Sequence, residues 1–270
     1  MEQIVKNRGE IKRIKTYING LDENMQGGVP AGHITLISGS AGTMKSSICF
    51  NILYFEALEG KTSLYVSLEQ GHASLINHMI NMGYDFSKVN LVVIKDLSRI
   101  AEDIQRVKSF RGGSIIIADI GCIRKEIKDI NVDDNRSWLN VIKNLAKKIK
   151  SEVNLELFVL DSMKALYMLS KFKNPRIELF YIFEFLRDAD MTTFLISEIS
   201  SGEVTKYGEY DEDFLADGII HIRLTPFRRN IVREISIVKM RTTECNNDVF
   251  SLDFKNGQFS AQYGGQNPLL

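Results

Sequence analysis

Short apolar runs alternate with longer stretches of helical spacing over most of this chain. HITLISG at 33–39 is an apolar run ending in glycine and reads as a buried strand. KSSICFNILYFEALEG at 45–60 places Ile48, Ile52, Phe55 and Leu58 one helical turn apart, with Gly60 as the stop. TSLYVSLE at 62–69 is rich in strand formers, and HASLINHMINMG at 72–83 predicts a helix closed by Gly83. NLVVIKD (90–96) and GSIIIADIG (113–121) read as strands, and WLNVIKNLAKKIKS (138–151) as an amphipathic helix. LELFVLDS (155–162) predicts a strand, RIELFYIFEFLRDAD (176–190) a helix and MTTFLISE (191–198) a further buried strand. GIIHIRL (218–224), REISIVKMR (233–241) and DVFSLDF (248–254) follow at the short spacing of an antiparallel extension.

Strands alternating with helices over 33–198 imply an α/β fold. Its central sheet should be mainly parallel, flanked by helices on both faces and joined by right-handed crossovers. No linker rich in Pro, Gly or Ser divides the chain, so one domain is expected over 15–260. Residues 1–32 read as an N-terminal arm or cap, with 1–14 outside the domain proper, and 261–270 read as a tail.

Composition narrows the function classes. Thirty-four basic and 34 acidic residues give no net charge, which speaks against a dedicated nucleic-acid binder. Cys49, Cys122 and Cys245 lie far apart without C-x-x-C spacing, so neither a disulfide framework nor a zinc site is expected. No apolar run approaches a membrane span, and the first residues lack the apolar core of a secretory signal. A cytoplasmic protein is the expectation.

The candidate chemistry begins at Gly39. GSAGTMKSS spans Gly39, Ser40, Ala41, Gly42, Thr43, Met44, Lys45, Ser46 and Ser47, between a strand and a helix. A phosphate-binding loop has the pattern G-x-x-x-x-G-K-[ST], in which backbone N–H groups and a helix N-terminus cradle phosphates. Lys45 would then reach the β- and γ-phosphates of ATP, and Ser46 would hold Mg²⁺. Met44 stands where the pattern has glycine, and its side chain is expected to point away from the nucleotide. Asp161 ends the strand 155–162 at the edge where α/β sheets bind ligands, and is a second Mg²⁺ candidate. Capping of the next helix is its alternative role. Glu69 ends the strand after the loop helix on the same edge and is the candidate base for an attacking water.

These motifs together resemble the KaiC-like ATPases of the RecA superfamily. INGLDENMQGGVPAGHITLISGSAGTMKSS is similar to the family's opening, LYVSLEQ to its Y-V-S-x-E-E and FVLDS to its V-I-D-S. TTFLISE, FLADGIIHIRL and ISIVKMR follow in the family order, so the resemblance covers about 15–260 as a single module. It implies a RecA-like P-loop NTPase fold and Mg²⁺-dependent ATP hydrolysis. It also implies a homo-oligomeric ring, usually hexameric, with ATP between neighbours and a protein partner regulated by nucleotide state. Lys239 and Arg241 match the family's K-x-R, residues that reach the neighbour's γ-phosphate. Glu198 matches a glutamate implied to sense that phosphate.

Met44 and Gln70, which replaces the second glutamate of the acidic pair, cast doubt on fast turnover. A nucleotide-held scaffold with negligible hydrolysis is therefore one alternative, and a DNA-recombination accessory ATPase another. The basic turn FRRN (227–230), with Arg223 and Arg233 nearby, would serve the latter; a solvated hairpin tip is the plainer account.

Overall fold

A buried run of branched residues satisfies its backbone only by pairing on both sides. The apolar runs do so within one eleven-stranded sheet. The computed structural model describes residues 11–129, 138–170, 172–199 and 206–263. Three short strands open it: β1 (Arg13–Ile14), β2 (Ile18–Asn19) and β3 (Val29–Pro30). Then come β4 (Ile34–Gly39), α1 (Lys45–Leu58), β5 (Thr62–Ser67), α2 (His72–Asn81), β6 (Asn90–Ile94) and α3 (Ile100–Ser109). β7 (Ser114–Asp119), α4 (Ile120–Asp129), α5 (Trp138–Glu152), β8 (Leu155–Asp161) and α6 (Met163–Ser170) continue the alternation. α7 (Pro175–Asp188), β9 (Thr192–Glu198) and the short α8 (Glu212–Leu215) complete it. Four strands finish the described chain: β10 (Gly218–Phe227), β11 (Asn230–Met240), β12 (Val249–Lys255) and β13 (Gln258–Tyr263).

The sheet order is β2-β13-β12-β11-β10-β4-β9-β8-β5-β7-β6. From β10 to β6 every neighbouring pair is parallel. β10 to β13 form the expected antiparallel extension, and β2 adds at its edge in parallel to β13. The fold is thus α/β with a mostly parallel central sheet and apolar clusters on its two faces.

Several boundaries differ from the sequence reading, β10 ending and β11 beginning three residues further toward their shared turn. The run 113–121 breaks at Asp119, where β7 passes directly into α4. β13 continues through Tyr263, three residues into the stretch read as a tail; 264–270 lie outside the described residues. Residues 1–10 of the expected arm also lie outside them, but Arg13–Ile14 pairs with β3, inside the folded body.

The N-terminal cap also alters α1. Tyr17 stacks on Phe55 at 4.9 Å, and Asn51 Nδ2 donates to the Thr16 carbonyl at 2.8 Å. With the cap on one side and the sheet on the other, α1 is buried over most of its circumference. Phe50, Leu53 and Ala57 carry its packing beside Ile48 and Ile52, while Leu58 is exposed.

Candidate functional site

Parallel strands all present their carboxyl ends at one edge, and register decides which residues meet there. Gly39 of β4 lies beside Glu198 of β9, and Ser67 of β5 beside Asp161 of β8. Leu68 N–H donates to the Asp161 carbonyl at 2.8 Å, which locks the start of the 68–71 turn, and with it Glu69, against β8. A cavity of about 440 Å³ opens at this edge. The loop from Ala41 to Ser47 lines it, with Glu69, Gln70, His78, Asp161, Ile196 and Glu198. A larger groove of about 560 Å³ lies between α5 and α7 and contains none of the motif residues.

Two backbone features shape the loop. A Cβ on Gly39 would stand 2.2 Å from the Ile222 carbonyl oxygen, so only glycine lets β4 approach β10 there. Met44 has φ 72° and ψ 25°, the left-handed conformation that a glycine would adopt without penalty. Its side chain packs against the apolar cluster beneath, while the residue still lines the cavity rather than standing wholly clear of it. The loop is closed on itself by Thr43 Oγ1 donating to the Ser40 carbonyl at 2.8 Å.

Lys45 is buried, and its Nζ donates to the Ser40 carbonyl at 2.8 Å and lies 3.9 Å from Glu198 Oε1. Burial pulls its pKa down, while the carboxylates of Glu198, Asp161 and Glu69 oppose that shift. Asp161 is 7% exposed, and the Tyr65 hydroxyl donates to its Oδ2. Burial pushes the Asp161 carboxyl above its usual range, against hydrogen bonds from Tyr65 and Ser46. Glu69 is exposed, with Oε1 accepting from the Ser162 hydroxyl. The Asp161–Ser162 peptide is cis.

The sequence-derived residues therefore separate into two groups. Lys45, Ser46, Glu69, Asp161 and Glu198 converge with the loop. Lys239 and Arg241 do not: Met240 pairs with Gly218, which pairs with Thr35 near the amino end of β4. Arg241 N–H bonds to Asp217, level with Ile34, so Arg241 stands roughly 16 Å back along the strand from Gly39. There Arg241 Nη1 donates to Asp217 Oδ1 at 2.7 Å and Lys239 Nζ to the Asp213 carbonyl at 2.9 Å.

Four site residues escaped the sequence reading. Tyr65 shares a strand face with Ser67, a period-two signal that was available. Ser162 follows Asp161 directly. His78, one helix away, reaches Ser47 Oγ with Nε2 at 3.1 Å. Arg233, a candidate DNA contact, instead lies 3.4 Å from the Gly42 carbonyl. The last two depend on tertiary packing and leave no local pattern.

Comparisons with known proteins bear on the family and the fold. A family model described as "ATPase: KaiC" matches residues 14–259. A UPF0273 protein of Saccharolobus solfataricus is 28% identical over 239 residues, 87% of this chain and 77% of the relative. One from Methanocaldococcus jannaschii is 28% identical over 236 residues, 86% of this chain and 89% of the relative. Among solved structures, a KaiC-like protein from Pyrococcus horikoshii is similar with a TM-score of 0.70 at 24% identity, covering 93% of this chain and 99% of that one.

Proposed function

The chain belongs to the KaiC family of ATPases, of the RecA superfamily, and we propose on that premise that it binds Mg²⁺·ATP and hydrolyses it slowly, each site being completed by a neighbouring copy. The observation that carries this reading is the charge around Lys45. One buried ammonium is faced by Glu198, Asp161 and Glu69. Three carboxylates against that ammonium and the Arg233 guanidinium at the rim still leave a net negative charge, a setting that favours a divalent metal ion. The Ser46 hydroxyl and the Asp161 carboxylate are hard oxygen donors that suit Mg²⁺. When bound, Mg²⁺ would neutralise charge on the β- and γ-phosphates.

The chain's own groups divide the remaining work. The loop N–H groups and the α1 N-terminus hold phosphate oxygens. The Lys45 ammonium leaves the Ser40 carbonyl for the β- and γ-phosphates. Glu69, oriented by Ser162, takes a proton from the attacking water. Glu198 beside Lys45 registers the presence of the γ-phosphate. Lys239 and Arg241, too distant for their own site, supply positive charge to the next copy's γ-phosphate. Loss of that phosphate loosens the contact between copies, which is how nucleotide state would reach a protein partner.

The test is ATP turnover by the purified protein, with its mass by light scattering, with and without Mg²⁺·ATP. Slow turnover abolished in Glu69→Gln, with nucleotide-dependent assembly, is the expected result. Assembly with no turnover above Glu69→Gln would replace this reading with a nucleotide-held scaffold. Met44 and Gln70 favour that second reading, since Gln70 donates its side-chain amide to Ser74 at 2.8 Å and accepts no proton from water.

A further inference from the structure

Asp119 ends β7, level with Ser67 on β5 and, one strand further, with Asp161 on β8. Two strand spacings, roughly 10 Å, separate it from Asp161 along the same edge, with the 68–71 turn between the two. Asp119 Oδ2 accepts the His72 backbone N–H at 2.8 Å and lies 2.7 Å from His72 Nδ1, while Oδ1 accepts the Cys122 backbone N–H at 2.9 Å. The two backbone contacts cap the first turns of α2 and α4, and they would persist with any side chains at 72 and 122. Capping leaves the side chains unexplained. An imidazole, a carboxylate and a thiol, carried by three separate elements, bring one ligating atom each to within 4.8 Å of one another.

We propose that His72, Asp119 and Cys122 form a binding site for a single zinc(II) ion. Nitrogen, oxygen and sulfur donors together match zinc, and three protein ligands with water in the fourth position make an open tetrahedral site. The sulfur sets it apart from the oxygen-only Mg²⁺ donors at Ser46 and Asp161. A carboxylate and a thiolate balance the ion's two charges. The hydrogen bonds that Asp119 accepts from His72 and Cys122 favour its carboxylate form. Zinc binds a thiolate, so it displaces a proton from the Cys122 thiol as it binds. Donors each about 2.1 Å from zinc stand roughly 3.4 Å apart. The imidazole must then draw back by about 0.7 Å from its hydrogen bond to Asp119. It stands at the first position of α2 with 22% of its side chain exposed, which leaves room for that shift and a path for the ion.

The experiment uses the full chain, stripped with a chelator and titrated with Co²⁺ alone. The expected result is a thiolate-to-cobalt charge-transfer band with tetrahedral visible bands, saturating at one ion per chain and displaced by Zn²⁺. Cys122→Ser keeps the capping N–H and should lose the charge-transfer band; His72→Ala should lose the tetrahedral visible bands. Cys49→Ser and Cys245→Ser should retain both signals, and melting curves without metal establish that each variant is folded. A native protein without the charge-transfer band, or a band that survives Cys122→Ser, overturns the site. Cobalt bound at Ser46 and Asp161 has no sulfur ligand and gives no such band, so the result stands or falls independently of the ATP reading.

Discussion

Met44 is held left-handed at the N-cap of α1, just before Lys45, where a side chain costs about 1–2 kcal/mol relative to glycine. Met44→Ala keeps that penalty and loses the packing; Met44→Gly loses the packing but also the penalty. The glycine variant should therefore be the more stable of the two by about 1 kcal/mol in urea melts. An alanine variant more stable than the glycine variant would show that Met44 is not left-handed. Asp161 offers a second test. Its carboxyl is raised by burial, so the folded state binds a proton more tightly than the unfolded chain does. Stability from this group then falls as pH rises from the usual carboxylate range through the raised value. Without nucleotide, Asp161→Asn should melt higher than the native protein at pH 7 and should match it once the pH is low enough to protonate Asp161. The same variant should lose Mg²⁺-dependent ATP binding, measured by calorimetry. That combination is expected of a charge kept buried for a ligand. A native protein that melts as high as Asp161→Asn at pH 7 would count against it.

Among the elements, legibility followed burial. The central strands are covered on both faces and stand in the sequence as near-continuous apolar runs, so their order was readable. α4 and α6 were not, because each follows its strand within a residue of an aspartate, without a breaker to separate two apolar patterns. β13 did carry a signal: Asn256 and Gly257 both have positive φ, and Asn-Gly is the preferred two-residue hairpin turn. The close pairing of β4 and β10 supports a prediction at this scale. Gly39→Ala sets a methyl 2.2 Å from the Ile222 carbonyl and must part the two strands at the mouth of the loop. A loss of about 2–3 kcal/mol in urea melts is expected, as for an overpacked core, together with loss of stabilisation by ATP. Gly71→Ala, with nothing nearer than 3.7 Å, should change stability by about 0.5 kcal/mol or less. Equal effects would mean that the β4–β10 approach is looser than described.

For the whole molecule, the decisive fact is that the loop, after β4, and the pair Lys239 and Arg241, at the end of β11, lie towards opposite ends of neighbouring strands. The sequence supplied the two motifs but not their separation, which follows only from β11 running antiparallel to β10. On the proposed reading, one end of the chain needs charge and the other offers it, which fits a head-to-tail contact that closes into a ring if the rotation permits. This geometry makes a prediction by mixing. Glu69→Gln and Arg241→Ala should each be inactive alone. In a randomly mixed ring, a site works when its own chain retains Glu69 and the adjoining chain retains Arg241. At equal amounts each condition is met half the time, so the mixture should recover about one quarter of native turnover. Arg241 is paired with Asp217, so Arg241→Gln, which can still hydrogen-bond that carboxylate but carries no charge, serves as a second partner in the mixture should the alanine variant melt low. If Arg241 served its own chain's site, every chain in the mixture would carry one broken component. Turnover would then stay at the level of the separate variants.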